Sequence, residues 1–102
     1  MKDETVAPSA PEGERRKAVL VVGAGDATGS AIARRFAREG YVACLARRSA
    51  EKLQPLVDQI RAAGGEAKGF ATDARKEDEV AKLVETIEAQ IGAIEVFVFN
   101  IG

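Results

Sequence analysis

The residues with the most chemistry to offer are seven in a row, Gly23-Ala24-Gly25-Asp26-Ala27-Thr28-Gly29, because they join a short apolar run to a segment of helical spacing. At such a junction the N–H groups of the helix's first turn lack intrahelical partners, and the helix dipole adds roughly half a positive charge. The place suits an anion such as a diphosphate. Gly23 permits the tight turn, and Gly25 leaves room for close backbone approach. Gly29 lets either the helix sit against the strands or the diphosphate approach its N-terminus. Asp26, Ala27 and Thr28 complete the cradle, with the Thr28 and Ser30 hydroxyls as further donors. Glycines after strands also serve turn geometry alone, and that alternative stays open. No Gly-Lys-Ser/Thr follows, which removes a P-loop, and the third glycine of a G-x-G-x-x-G pattern falls one residue late, at Gly29.

Other chemistry is scarce. The chain of 102 residues has no His and a single Cys, so metal ligation by imidazole, a Ser-His-Asp triad, a Cys-His pair and an internal disulfide are all excluded. Cys44 reads as a small buried hydrophobe rather than a nucleophile. With 15 Lys+Arg against 16 Asp+Glu the formal net charge is −1, so neither nucleic acid nor an anionic membrane surface is an expected partner. No apolar run approaches the roughly 20 residues of a membrane span.

The elements that must position the glycine segment follow from hydrophobic spacing. Residues 1–17 carry eight charges, two of the three prolines and one large aliphatic residue, Val6, which predicts a disordered tail. The tail has no apolar h-region and four acids, so it is not expected to target the chain anywhere, and a cytoplasmic location is the default. Arg15-Arg16-Lys17 reads as a solvated charge run before a buried strand. From Ala18 onward, continuous apolar runs alternate with amphipathic stretches. Strands are predicted at Ala18–Val22, Tyr41–Ala46, Glu66–Thr72 and Ile94–Phe99, the first two as buried strands of the kind a parallel sheet covers on both faces. A first helix spans Thr28–Glu39 and stops at Gly40. A second follows Ser49 as N-cap with Leu53, Leu56, Val57 and Ile60 on one face, and Pro55 is expected to bend its first turns. A third carries Val80, Leu83, Val84, Ile87 and Ile91, closed by Gly92. The fold class is α/β: a Rossmann-like, doubly wound parallel sheet, βαβαβαβ, with predicted strand order 3-2-1-4.

These segments together resemble the short-chain dehydrogenase/reductase family over residues 18–102. The family loop is T-G-x-x-x-G-x-G. Here Val22 stands for the Thr, Gly23 and Gly29 match the outer glycines, and Ala27 replaces the middle one. Arg47-Arg48 with Glu51-Lys52-Leu53, then Thr72-Asp73, then Phe99-Asn100-Ile101-Gly102 in place of N-N-A-G follow in the family's order. The resemblance implies an oxidoreductase that moves a hydride between a nicotinamide dinucleotide and a small-molecule carbonyl or alcohol substrate. It implies that Asp73 bonds the adenine amino group, that Ala74 touches the ring, and that Asn100 and Gly102 line the cofactor near its nicotinamide ribose. Asp73 as a turn or capping residue before the third helix stays an alternative. The family's Tyr, four residues before a Lys, has no counterpart: the only tyrosine is Tyr41, and four residues on is Leu45.

Charge discriminates between the two dinucleotides. An NAD site usually has an acid about 20 residues after the first glycine, gripping the ribose hydroxyls. That place here reads Ala46-Arg47-Arg48, so NADP is expected and NAD is less favoured, although Asp26 would partly cancel the arginine field. The same absence of an acid argues against a methyltransferase. The order 3-2-1-4 leaves the fourth strand at an edge, where Val96-Phe97-Val98-Phe99 would present unpaired backbone and apolar surface. This predicts that the 102 residues are the nucleotide-binding portion of a longer reductase, inactive alone. The alternative is a non-catalytic nucleotide-binding module, or one that pairs as a homo-oligomer through the open edge.

Overall fold

A computed structural model of the protein describes residues 16–24 and 27–100. The predicted tail therefore lies outside the described residues except at its end. There Lys17 already opens the first strand, and Arg16 forms an ion pair with Glu66. The strands are β1 (Lys17–Val22), β2 (Val42–Arg47), β3 (Glu66–Ala71) and β4 (Ala93–Phe99), and the helices are α1 (Ala27–Arg38), α2 (Gln54–Ala62) and α3 (Glu77–Gln90). The four strands form one parallel sheet in the order β3-β2-β1-β4, the order expected from right-handed crossovers.

The centre of the sheet is covered on both faces, which explains why β1 and β2 have no polar alternate positions. Val19, Val21, Ala43 and Leu45 face α1 and α2, packing with Ala33, Ala37, Leu53, Leu56, Val57 and Ile60. On the other face Ala18, Leu20, Val22, Val42, Cys44 and Ala46 meet Leu83 and Ile87 of α3. Along β4 the register with β1 slips between Ala18 and Val19, which pair with Ile94 and Val96. Glu95 is thus the extra residue of a bulge that turns Val96 and Val98 toward the α1–α2 face and leaves Phe97 and Phe99 on the α3 face.

Two local expectations are corrected. Tyr41 precedes β2 instead of opening it, because α1 ends in a Schellman motif. The Gly40 N–H bonds the Ala37 carbonyl at 3.1 Å, and the Tyr41 N–H bonds the Phe36 carbonyl at 3.1 Å. Gly40 takes φ +96°, and the Tyr41 ring closes edge-on against Phe36 at 5.2 Å, the apolar contact typical of this cap. Pro55 bends nothing: a 3₁₀ turn over Ala50–Leu53 precedes α2, so the proline falls in the first turn of α2, where its missing N–H has no partner to lose. Ser49 caps that 3₁₀ turn through its carbonyl, which accepts from the Lys52 N–H at 3.1 Å, with no bond from its side chain.

Candidate functional site

The carboxyl ends of β1 and β4 lie side by side, while the chain leaving β1 goes to one face of the sheet and the helix leading into β4 occupies the other. This is the point of an open α/β sheet where a crevice forms. The turn after β1 is clamped there from both sides. The Gly23 N–H donates to the Ala46 carbonyl at 2.8 Å, on the β2 side. Its carbonyl accepts from the Asn100 side-chain amide at 3.2 Å, and the Asn100 N–H donates to the Val22 carbonyl at 2.8 Å, on the β4 side.

Gly23 has φ +85°, and a Cβ at that position would overlap the Asn100 carbonyl oxygen, so both conformation and space require glycine. A Cβ on Gly29 would stand 2.9 Å from Ala24 Cα and 2.9 Å from the Gly23 carbonyl oxygen. Of the two roles open to Gly29, close packing of the helix's first turn on the preceding loop is therefore the one with a contact behind it. The Ser30 hydroxyl donates to the Ala24 carbonyl at 3.3 Å, so it braces the same loop. Ala27 and Thr28 open α1 and are exposed, and no acid stands in that first turn to compete with a phosphate. Gly25, Asp26 and Gly102 lie outside the described residues.

The next strand end supplies the cations. Arg47 closes β2 half-buried, and Arg48 follows it exposed. Neither is in an ion pair among the described residues. The Arg47 carbonyl accepts from the N–H of buried Thr72 at 2.9 Å, which ties the end of β2 to the exit of β3 and brings Arg48 near Asp73. Asp73 lies just beyond β3 with its side chain only 15% exposed. Its Oδ1 accepts from the Arg75 backbone N–H at 3.0 Å and from Arg75 Nε at 3.1 Å, and its Oδ2 accepts from Arg75 Nη2 at 3.2 Å. These bonds, with a smaller contribution from the Arg48 charge, hold the Asp73 carboxyl down at about 2. The Asp73 N–H donates to Glu79 Oε1 at 2.9 Å, from the third residue of α3. Ala74 is half-buried against the α3-side core.

The site thus gathers a clamped glycine turn, an acid-free helix start, two arginines and one ionised aspartate along one edge of the sheet. Arg75 and Glu79 escaped the sequence reading. The signal for the first was the Asp-x-Arg spacing of an Asx turn, and for the second a glutamate three residues into a helix, where it reaches back to a preceding N–H. Cys44, on the sheet's buried α3 face, takes no part, since burial pushes its thiol up to about 11. A groove of about 330 Å³ between α1 and α2, lined by Arg34, Arg38, Gln59 and Ile60, opens at the far end of α1 from the glycine turn. Among the described residues no cluster of His, Cys, Asp and Glu could hold a metal, and no helix is long and apolar enough to cross a membrane.

Such a sheet defines a Rossmann-like α/β fold. The pattern of the short chain dehydrogenase family matches residues 17–102, and the chain belongs to that family. It is 38% identical to a short chain dehydrogenase of Pseudocercospora fijiensis, covering 91% of this chain and 30% of that one. It is 36% identical to a 3-oxoacyl-[acyl-carrier-protein] reductase of Staphylococcus epidermidis, covering 84% of this chain and 36% of the reductase. A metagenomic short-chain oxidoreductase solved in complex with NADP superposes with a TM-score of 0.79 at 37% identity, over 85% of this chain and 39% of that one. The chain spans about a third of the length of the curated relatives it matches.

Proposed function

We propose that the chain is the nucleotide-binding portion of an NADP(H)-dependent reductase acting on a small-molecule carbonyl or alcohol, and that these residues alone turn nothing over. The observation that carries the cofactor choice is the pair Arg47-Arg48 at the end of β2, in no ion pair among the described residues, where an NAD site would place a carboxylate. The solved relative in complex with NADP supports it by likeness. When bound, the dinucleotide supplies the hydride.

The chain's own residues bind and orient. The first turn of α1 offers its N–H groups and dipole to the diphosphate, with residues 23–29 as its binding segment. Arg47 and Arg48 take the 2′-phosphate. Asp73 receives the adenine amino group, Ala74 borders the ring, and Asn100 and Gly102 sit by the nicotinamide ribose. Asn100 is braced for this by its bond to the Gly23 carbonyl. We place the protein in the cytoplasm.

A charge-assisted arginine–phosphate bond contributes roughly 1.5 to 3 kcal/mol, which corresponds to about tenfold to hundredfold in affinity. Arg47→Ala is therefore expected to lower the NADPH-to-NADH affinity ratio by at least about tenfold in equilibrium titrations, and an unchanged ratio removes Arg47 from the site. Amide shifts at residues 23–29 on titration with NADPH test the diphosphate position, and their absence in folded material sinks it. Ketone reduction by the purified chain above a protein-free blank would refute the claim of inactivity.

A second reading has one observation in its favour. Phe97 and Phe99 stand 47% and 52% exposed on edge strand β4, a surface suited to pairing with a second copy in a homo-oligomer.

A further inference from the structure

The Asp73 carboxylate is held more tightly than a turn requires. An ionised carboxylate has about four acceptor positions. On Asp73 both positions of Oδ1 are filled by the N–H and Nε of Arg75, and one of Oδ2 is filled by Nη2 of the same side chain. The backbone is fixed by other means. The Asp73 N–H is tied to Glu79, the Asp73 carbonyl accepts from the Lys76 N–H at 3.0 Å, and the preceding Thr72 is tied to Arg47. Arg75 therefore constrains the carboxylate alone. Its own side chain is 71% exposed, so it fills no part of the core.

We infer that Arg75 is a positioning residue for the adenine end of the site, fixing the Asp73 carboxylate so that one acceptor position, on Oδ2, faces the single N–H that a base amino group can donate to it. The inference rests on the reading of Asp73 as the adenine contact. Without the Arg75 guanidinium the carboxylate keeps only the backbone N–H of residue 75, gains rotational freedom and two more empty acceptor positions, and is drawn toward Arg48, the other cation whose charge acts on it. The ligand class selected is a dinucleotide whose base carries an exocyclic amino group. A base with an oxygen there presents an acceptor to an acceptor, and is refused.

The test compares NADPH with its analogue carrying hypoxanthine in place of adenine, titrated into the whole 102-residue chain and followed by amide shifts. The wild-type chain is expected to prefer the adenine form by about tenfold. Arg75→Ala should bring the two affinities to within about twofold to threefold while the fold is retained, because an exposed side chain is removed. Arg75→Lys keeps the charge without the planar fork and should stay close to the alanine variant. A purely structural role would weaken both ligands equally and leave the ratio alone. The inference is overturned if Arg75→Ala retains the wild-type ratio while Asp73→Ala loses it, or if Arg75→Lys restores the ratio in full, since charge alone would then suffice. If Asp73→Ala itself leaves the ratio unchanged, Asp73 is not the adenine contact, and the inference falls together with that reading.

Discussion

Leu20 and Phe97 are register partners on the same face of the same sheet, one strand apart, yet Leu20 is fully buried and Phe97 is 47% exposed. The next pair repeats the contrast, with Val22 fully buried beside Phe99 at 52%. Chemistry does not separate the members of each pair, since all four are apolar. Position relative to α3 does: Leu83 and Ile87 pack against β1 and β2, and the aromatic pair on β4 lies past that cover. The apolar character of a strand residue therefore does not by itself report burial. β1 and β2 are covered on both faces, whereas β4 packs on the α1–α2 face through Val96 and Val98 but on the α3 face only at Ile94, leaving Phe97 and Phe99 open.

The sharpest way to break this contrast is to shorten both members of one pair. Leu20→Ala removes a side chain with no exposed surface from the centre of the α3-side core, and is expected to cost about 3 to 5 kcal/mol in urea unfolding, transfer and cavity terms included. Phe97→Ala should cost about 1 kcal/mol, because half of the ring is already in water. Equal losses would mean that the rings on β4 are covered in solution, and the contrast would vanish.

Cys44 probes the same buried face by a different route. Its thiol is pushed from its ordinary 9.0 up to about 11 by desolvation, with Lys68 opposing weakly. A folded-state value raised above the unfolded one means that the folded chain keeps a proton which the unfolded chain releases. The stabilisation is therefore whole below pH 9 and lost as pH rises toward about 11. The loss across that window amounts to about 3 kcal/mol at most. Chemical unfolding at pH 8 and pH 10.5 should show the decline in the wild-type chain, and Cys44→Ala should flatten that part of it while lowering stability at pH 8. A decline of the same size in the variant would assign it to other groups.

How much of this was legible in the residues depends on whether the deciding interaction is local or distant. Strand order and the two-faced centre followed from continuous apolar runs, and the helix stop at Gly40 followed from a glycine after an amphipathic stripe. Pro55 was misjudged because Leu53 lies three residues before Leu56, a spacing that fits a 3₁₀ turn as well as an α-helix, so the stripe ran unbroken across the real boundary. The bulge at Glu95 was hidden because one polar residue in an apolar run does not reveal a shift in register. At the site, the glycine turn was legible from its place between strand and helix. Its bracing by Asn100 joins residues at opposite ends of the sequence, which no local pattern reports. Asp73 was visible as an acid at a strand end, but the grip of Arg75 depends on the Asx turn between them, where one N–H and one guanidinium reach the same carboxylate.

The smallest effect on stability belongs to the exposed ring pair, and it sharpens the comparison most for function. Phe97 and Phe99 meet edge to face with centroids 6.0 Å apart, so they present one continuous apolar patch beside the outer backbone of β4. Phe97→Ser with Phe99→Ser should change unfolding free energy by about 1 to 2 kcal/mol, less than Leu20→Ala alone, because both rings already stand about half in water. The same double variant should reduce concentration-dependent association in sedimentation, since the patch supplies the apolar part of any contact while the strand edge supplies only hydrogen bonds that water can replace. Association that persists unchanged would place the adhesive element in the backbone edge itself, and Phe97→Lys would then separate the two, because a charge on an edge strand opposes pairing without shortening the side chain.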